Sequence, residues 1–298
     1  KTKAPVVSTN LNFTGRYFVF TTKRKDELGV SNKLGEEDRK RLQAYAATKE
    51  SDAFGMILRT NAKNASTEEL DAEYEYLKEV HDKVVNFGVH KTVFSLLMQD
   101  EAPYIKQLRN IRQDELEEII TDDKDIYEQA YEFLKSHQPA DLDKLRMYED
   151  ASYSLWNLYG LETLLDDATR TRVWLKSGGY LVIEPTEALT VIDVNTGKYE
   201  GGKNADSTFV KINQEAAVET AKQLRLRNIS GIIIIDFIDM KTEADKLDVL
   251  SALNKELKKD PVKATLVDMT KLNLAEVTRK KVKKSLREQL GNYDYRRN

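Results

Sequence analysis

At 298 residues with a formal net charge of −3, the chain is long enough for two domains and is not a uniformly basic nucleic-acid binder. Hydrophobic residues make up 40% and charged residues 33%, which excludes wholesale disorder, and no apolar run nears the roughly 20 residues that cross a bilayer. Cysteine is absent, so disulfides and thiolate zinc sites are excluded, and the three histidines, His81, His90 and His137, lack ligand spacing.

The N-terminus, KTKAPVVSTN, has no apolar signal core, and a cytoplasmic location is expected. LNFTGRYFVF (11–20) reads as a strand with Gly15 near its start. EEDRKRLQAYAATKE (36–50) has the helical spacing of Leu42, Tyr45 and Ala46, and FGMILRT (54–60) is a strand ending on Arg59 and Thr60. STEELDAEYEYLKEVHDKVVNF (66–87) predicts a long amphipathic helix capped by Ser66 or Thr67. A second region, 91–172, predicts a strand VFSLLMQ (93–99), a helix YIKQLRNIR, a short strand ELEEIIT, and helices at 124–136 and 152–166, with a loop at Pro139.

The third region, 173–298, opens with the hairpin strands GGYLVIE and ALTVIDV around Pro185-Thr186. TGKYEGGKNADST (196–208) reads as a loop and 213–227 as a helix with Ala217, Ala221 and Leu224 on one face. GIIIIDF predicts a strand buried on both sides, followed by the helix KLDVLSALNKELKKD, the strand ATLVDM and a basic helix LAEVTRKKVKKSLREQL. The order β-β-α-β-α-β-α predicts a layered α/β unit, with α+β character for the chain as a whole. Charge is uneven: residues 68–167 are acid-rich and the last forty or so are basic, as a solvated lysine face or an RNA-facing surface would be.

Asp193 and Asp236 each end an apolar strand, with Arg225 and Arg227 at the end of the helix between them. Two carboxylates at strand ends suit a hard cation, and Mg²⁺ binds through one or two carboxylates while keeping water. Side chains alternate along a strand, so Asn195 shares a side with Asp193 and can orient it. The plain alternative is that such an aspartate caps a turn, which is the reading for Asp239.

The blocks SGGYLVIEPTEALTVIDVNTG and AKQLRLRNISGIIIIDFIDM resemble, almost residue for residue, the catalytic core of the ribonuclease E/G family of bacterial endoribonucleases. The resemblance implies a DNase I-like catalytic unit in which Asp193 and Asp236 bind catalytic Mg²⁺, with Mn²⁺ as a substitute, and Asn195 supports one of them by orienting Asp193. STNLNFTGRYFVF, GVSNKL and FGMILRT are similar to the family's 5′-sensor region (here 1–90). Carried over, Arg59 and Thr60 hold the RNA's 5′-monophosphate while Gly15 and Val19 shape the pocket. Region 91–172 resembles part of the family's RNase H-like unit, which is structural.

Three departures accompany the resemblance. The family's OB-fold RNA-binding domain would precede Lys1, and no cysteine stands where the zinc-linked dimer would need one, so zinc is not expected and a homo-oligomer would form without it. Asn228 stands where relatives carry an acid, which is expected to weaken a supporting interaction. Lys263 stands in place of an arginine as a candidate contact to RNA, alongside Arg225 and Arg227. The expected activity is Mg²⁺-dependent cleavage of single-stranded RNA with a 5′-monophosphate preference, in RNA processing and decay. The alternatives are a non-catalytic RNA-binding scaffold and a small-molecule phosphodiesterase.

Overall fold

Gly15 divides what reads as one strand into a hairpin, with β1 (Asn12–Thr14) and β2 (Phe18–Thr21) antiparallel and the Gly15 N–H donating to the Phe18 carbonyl at 2.8 Å. The computed structural model describes residues 7–25, 27–49, 52–111, 116–197, 205–270 and 272–291. These fall into two units, Lys1–Ala151 and Ser152–Asn298, a different partition from the three regions expected.

In the first unit a four-stranded sheet runs β1-β2-β4-β3, where β3 is Leu28–Val30 and β4 is Gly55–Leu58. Helices α1 (Glu36–Ala47) and α2 (Thr67–Val85) cover it. α2 begins on a capping box in which the Ser66 hydroxyl and the Glu69 carboxylate each accept a backbone N–H. Its Leu70, Tyr74, Leu77, His81 and Val84 recur at helical spacing and are buried, and His81 is a core residue packed beside Phe54. Helices α3 (Pro103–Asn110) and α4 (Lys124–His137) follow, with the parallel pair β5 (Ile119–Thr121) and β6 (Leu145–Met147). The strand expected at 93–99 does not form. Val93, Phe94 and Leu96 are exposed, and no strand among the described residues pairs with them; a strand without a neighbour has nothing to satisfy its backbone.

The second unit opens with α5 (Leu155–Leu158) and α6 (Leu161–Thr169), two pieces of the expected 152–166 helix separated where Gly160 turns left-handed at φ 57°. A six-stranded sheet follows in the order β11-β12-β10-β9-β8-β7. Its strands are β7 (Arg172–Trp174), β8 (Tyr180–Pro185), β9 (Leu189–Asn195), β10 (Gly231–Asp236), β11 (Ala264–Met269) and β12 (Leu274–Arg279). β9 and β10 are parallel neighbours, so they require a crossover, which is α7 (Ala205–Leu226). This helix starts well before the expected residue 213; residues 198–204 of the expected loop lie outside the described residues. α8 (Glu243–Leu257) links β10 to β11.

Both helices pack on one face. Ile212, Ala216, Ala217, Ala221 and Leu224 of α7 and Val249, Leu253 and Leu257 of α8 bury Leu181, Ile192, Ile233, Ile235, Ala275 and Val277 of the sheet. β10 is therefore not buried on both sides: Ile233 and Ile235 are fully buried, whereas Ile232 is 50% exposed on the other face. The largest departure is at the C-terminus. LAEVTR is not the start of a basic helix but strand β12, antiparallel to β10 and β11, followed among the described residues by the short α9 (Leu286–Leu290). Ala275, Val277 and Arg279 alternate onto the covered face, a period of two that the adjacent lysine run obscures.

Candidate active site

The parallel register places Asp236 directly beside Asp193, one strand apart, at the C-terminal ends of β10 and β9. Alternation that buries Ile192, Val194 and Ile235 sends Asp193, Asn195 and Asp236 to the opposite, open face. Both aspartates are exposed, and the Asn195 amide donates to Asp193 Oδ2 at 2.8 Å. Asp239, exposed three residues on, adds a third negative charge. Partial burial, then Asp193, then Asp239 push the Asp236 carboxyl above its usual range. Among the described residues no lysine or arginine forms an ion pair with Asp193, Asp236 or Asp239. No cluster of three or more metal-ligating side chains occurs among them either, so Asp239 does not converge as a third ligand. Two mutually repelling carboxylate groups with an orienting amide, and with no cationic partner among the described residues, fit a hard divalent cation that retains water.

Residues not singled out from the sequence hold this strand end in place. Asn213, fully buried on α7, donates to the Ile238 carbonyl at 2.8 Å and accepts the Ile238 N–H at 3.0 Å, which ties down the chain just beyond Asp236. Glu215 accepts the N–H groups of Lys176 and Ser177, fixing the turn between β7 and β8. Burial pushes the Glu215 carboxyl up, but Ser177 and Lys176 outweigh it and hold it below the usual range. Gly197, two residues past Asn195, has φ 66°, and a Cβ there would lie 2.0 Å from the Gly178 carbonyl oxygen. The only signal for Asn213 in the sequence is a polar residue within the apolar stripe of α7.

The basic residues expected to face RNA lie elsewhere. α7 runs back along the sheet, so its C-terminus sits at the start of β10, the end away from the carboxylates. Arg227 is buried there, donating to the Arg170 carbonyl and to Gln223, while Arg225 donates to the Glu256 carbonyl. Lys263 precedes Ala264, which pairs through Arg279 with Gly231; over the five residues to Asp236 this places Lys263 about 17 Å from the carboxylate row. Asn228 is itself fully engaged by hydrogen bonds. At φ 47° it ends α7 in the left-handed conformation, donates to the Lys283 and Lys284 carbonyls and accepts from Arg279, whose charge Asp260 matches at 2.8 Å.

In the first unit the Arg59 guanidinium reaches the Gly15 carbonyl at 2.5 Å and Asn110 Oδ1 at 2.7 Å, and its backbone N–H reaches the Tyr17 carbonyl. Burial, then Arg109, lowers the Arg59 pKa. Thr60 follows at the start of a 3-10 turn, Thr60–Asn64, with its hydroxyl 3.0 Å from that of Ser31, in a cleft of about 390 Å³ also lined by Arg16, Lys33 and Lys63. Gly15 and Arg59 are thus brought together through the guanidinium–carbonyl bond, while Thr60, next in the chain, is the one of the four expected residues that lines the cleft; Val19 lies along β2 opposite Thr14.

Gly15 has a further role that the sequence did not disclose. The Glu73 carboxylate accepts the N–H groups of Arg16, Tyr17 and Phe18 at 2.5, 2.6 and 2.9 Å, and a Cβ on residue 15 would lie 2.4 Å from its carboxyl carbon. Burial raises the Glu73 pKa, against these three N–H groups and Arg59. The Arg16 side chain turns inward to the fully buried Asp141 at 3.1 Å.

The ribonuclease E/G family profile matches residues 12–282. Ribonuclease G of Haemophilus influenzae is 37% identical over 286 residues, 96% of this chain and 58% of that protein. Ribonuclease G of Escherichia coli K12 is 36% identical over 292 residues, 98% of this chain and 59% of the relative. Ribonuclease E of Synechocystis is 33% identical over 294 residues, 97% of this chain and 43% of the relative. The chain spans somewhat over half the length of the ribonuclease G relatives it matches.

Proposed function

The chain belongs to the ribonuclease E/G family, and from that premise we propose that it is the catalytic part of an endoribonuclease acting on single-stranded RNA in RNA processing and decay. The observation that carries the reading is the pair Asp193 and Asp236, side by side on parallel strands, facing solvent, without a described cationic partner and with Asn195 bonded to one of them. These two carboxylates would hold Mg²⁺, with Mn²⁺ as a substitute. When bound, the ion supplies Lewis-acid chemistry, lowering the pKa of water and offsetting charge on the scissile phosphate.

The protein's own groups do the rest. Asn195 fixes the Asp193 rotamer, and Asn213 fixes the backbone beyond Asp236, so the carboxylates are preorganised rather than recruited. Arg59 and Thr60 offer a guanidinium and a hydroxyl to the terminal phosphate of a 5′-monophosphorylated RNA, a pairing suited to phosphate oxygens. The products would carry a 5′-phosphate and a 3′-hydroxyl. No helix among the described residues is long and apolar enough to cross a membrane, and a cytoplasmic location is part of this reading.

The test is cleavage of a labelled, A/U-rich, 5′-monophosphorylated RNA with Mg²⁺. Cutting is expected to vanish with EDTA and in Asp236→Asn, and to lose its preference over 5′-hydroxyl RNA in Arg59→Ala. Intact RNA that nevertheless binds would replace this reading with a non-catalytic RNA-binding protein.

A further inference from the structure

The open face of the second unit's sheet carries a side-chain row that the carboxylate chemistry leaves unused. Pairing puts Tyr180 of β8 opposite Asn195 of β9, and Trp174 of β7 opposite Tyr180. Leu181 and Val173 pack into the core, so alternation sends Tyr180, Trp174 and Arg172 to the same face as Asp193 and Asn195. With strands about 4.8 Å apart, Tyr180 lies one strand and Trp174 two strands from Asn195. In the adjoining row Arg172 pairs with Val182, which pairs with Asp193, which pairs with Asp236.

The three side chains form one assembly. The Arg172 guanidinium lies 4.3 Å from the Tyr180 ring centroid and 5.7 Å from that of Trp174, and the two rings meet edge-on at 5.2 Å. A cross-strand aromatic pair on an edge strand ordinarily serves stability. That role favours a buried indole, yet Trp174 is 57% exposed. A large π-surface held open by a cation, in register with paired carboxylates, has the chemistry of a base-stacking site.

We propose that Trp174 and Tyr180, held by Arg172, form a platform that stacks a nucleobase of the RNA next to the phosphodiester positioned at Asp193 and Asp236. The proposal rests on the nuclease reading above and adds a binding subsite to it. Stacking tolerates any base, because each has a π-face, so the platform grips the strand beside the cut and favours purines modestly at the stacked position.

The chain has two tryptophans, Trp156 and Trp174, so Trp156→Phe leaves Trp174 as the sole indole reporter. The experiment titrates this variant with a fluorescein-labelled, 5′-monophosphorylated, A/U-rich RNA in EDTA, reading probe anisotropy and indole emission together. Emission is expected to quench in step with binding, and an abasic nucleotide at one position near the cleavage site should abolish the quench. Trp174→Ala is expected to weaken binding about tenfold, within the range of base–aromatic stacking, with Trp174→Phe intermediate. Rising anisotropy with unchanged emission, or unchanged affinity in a folded Trp174→Ala, overturns the platform and leaves the nuclease standing. Absence of both binding and Mg²⁺-dependent cleavage overturns the two together.

Discussion

Replacing Glu73 by Gln keeps the shape of the side chain and removes one acceptor, which isolates what the carboxylate does for the loop beneath Arg59. In the native protein one oxygen takes the Arg16 N–H and the other takes those of Tyr17 and Phe18. The amide can satisfy at most one of these two arrangements. Its oxygen is best placed on the shared pair, which turns its NH₂ group toward the Arg16 N–H, donor against donor. One buried N–H is orphaned, costing about 1–3 kcal/mol, and two charge-assisted bonds become neutral ones, losing about 1 kcal/mol each. Against this, the desolvation that raises the Glu73 pKa is relieved, so the net loss is about 2–3 kcal/mol. For a unit of 151 residues that corresponds to a fall in Tm of roughly 5–10 °C. Both tryptophans lie in the second unit, so tryptophan emission follows that unit alone, whereas far-UV circular dichroism follows both. The expected result is an early transition in circular dichroism with the tryptophan transition unmoved, together with loss of discrimination between 5′-monophosphate and 5′-hydroxyl RNA. A variant melting within a degree of the native protein would refute the reasoning, because the three N–H groups would then be satisfied without Glu73.

Gly197→Ala forces a left-handed alanine, which costs about 1–2 kcal/mol, and sets its Cβ 2.0 Å from the Gly178 carbonyl oxygen. The expectation is a lower urea midpoint by tryptophan emission and slower RNA cleavage; an unchanged midpoint would contradict the geometry. Lys263→Ala and Arg225→Ala should leave the cleavage rate unchanged, since both lie at the far end of the sheet, while Arg227→Ala should cost about 2–4 kcal/mol in a denaturant titration by taking the donors away from the Arg170 carbonyl and the buried Gln223 side chain and leaving a gap where the buried guanidinium packed. A selective loss of cleavage in Lys263→Ala would show that RNA reaches that end. Asp236 has a folded-state pKa above its unfolded value, so its contribution to stability is intact below the unfolded pKa and is lost as pH rises through the folded one. Metal-free Asp236→Asn should therefore melt slightly higher than the native protein at pH 7, by a few tenths of a kcal/mol after solvent screening, and no higher in acid. Mg²⁺ should reverse the order, and a lower Tm of the metal-free variant at pH 7 would count against the repulsion.

Elements whose pattern is local are legible in the amino-acid sequence alone. The capping box at Ser66 and the stripe from Leu70 to Val84 specify α2, and the alternation through VIDVN specifies both β9 and the common face of Asp193 and Asn195. Which end of the sheet each group occupies is set by the packing of distant segments. Asp193 and Asp236 are far apart in the chain yet share one register row, whereas Arg227, closer in sequence to Asp236 than Asp193 is, lies at the opposite end because a crossover helix runs against its strands. The same holds for β12, whose short alternating pattern before a lysine run fits a helix until β10 and β11 offer their edges. Glu73 and Trp174 belong to this class too. A carboxylate becomes a loop's acceptor, or an indole a platform, through partners that arrive from other segments, and those meetings are a property of packing rather than of local propensity.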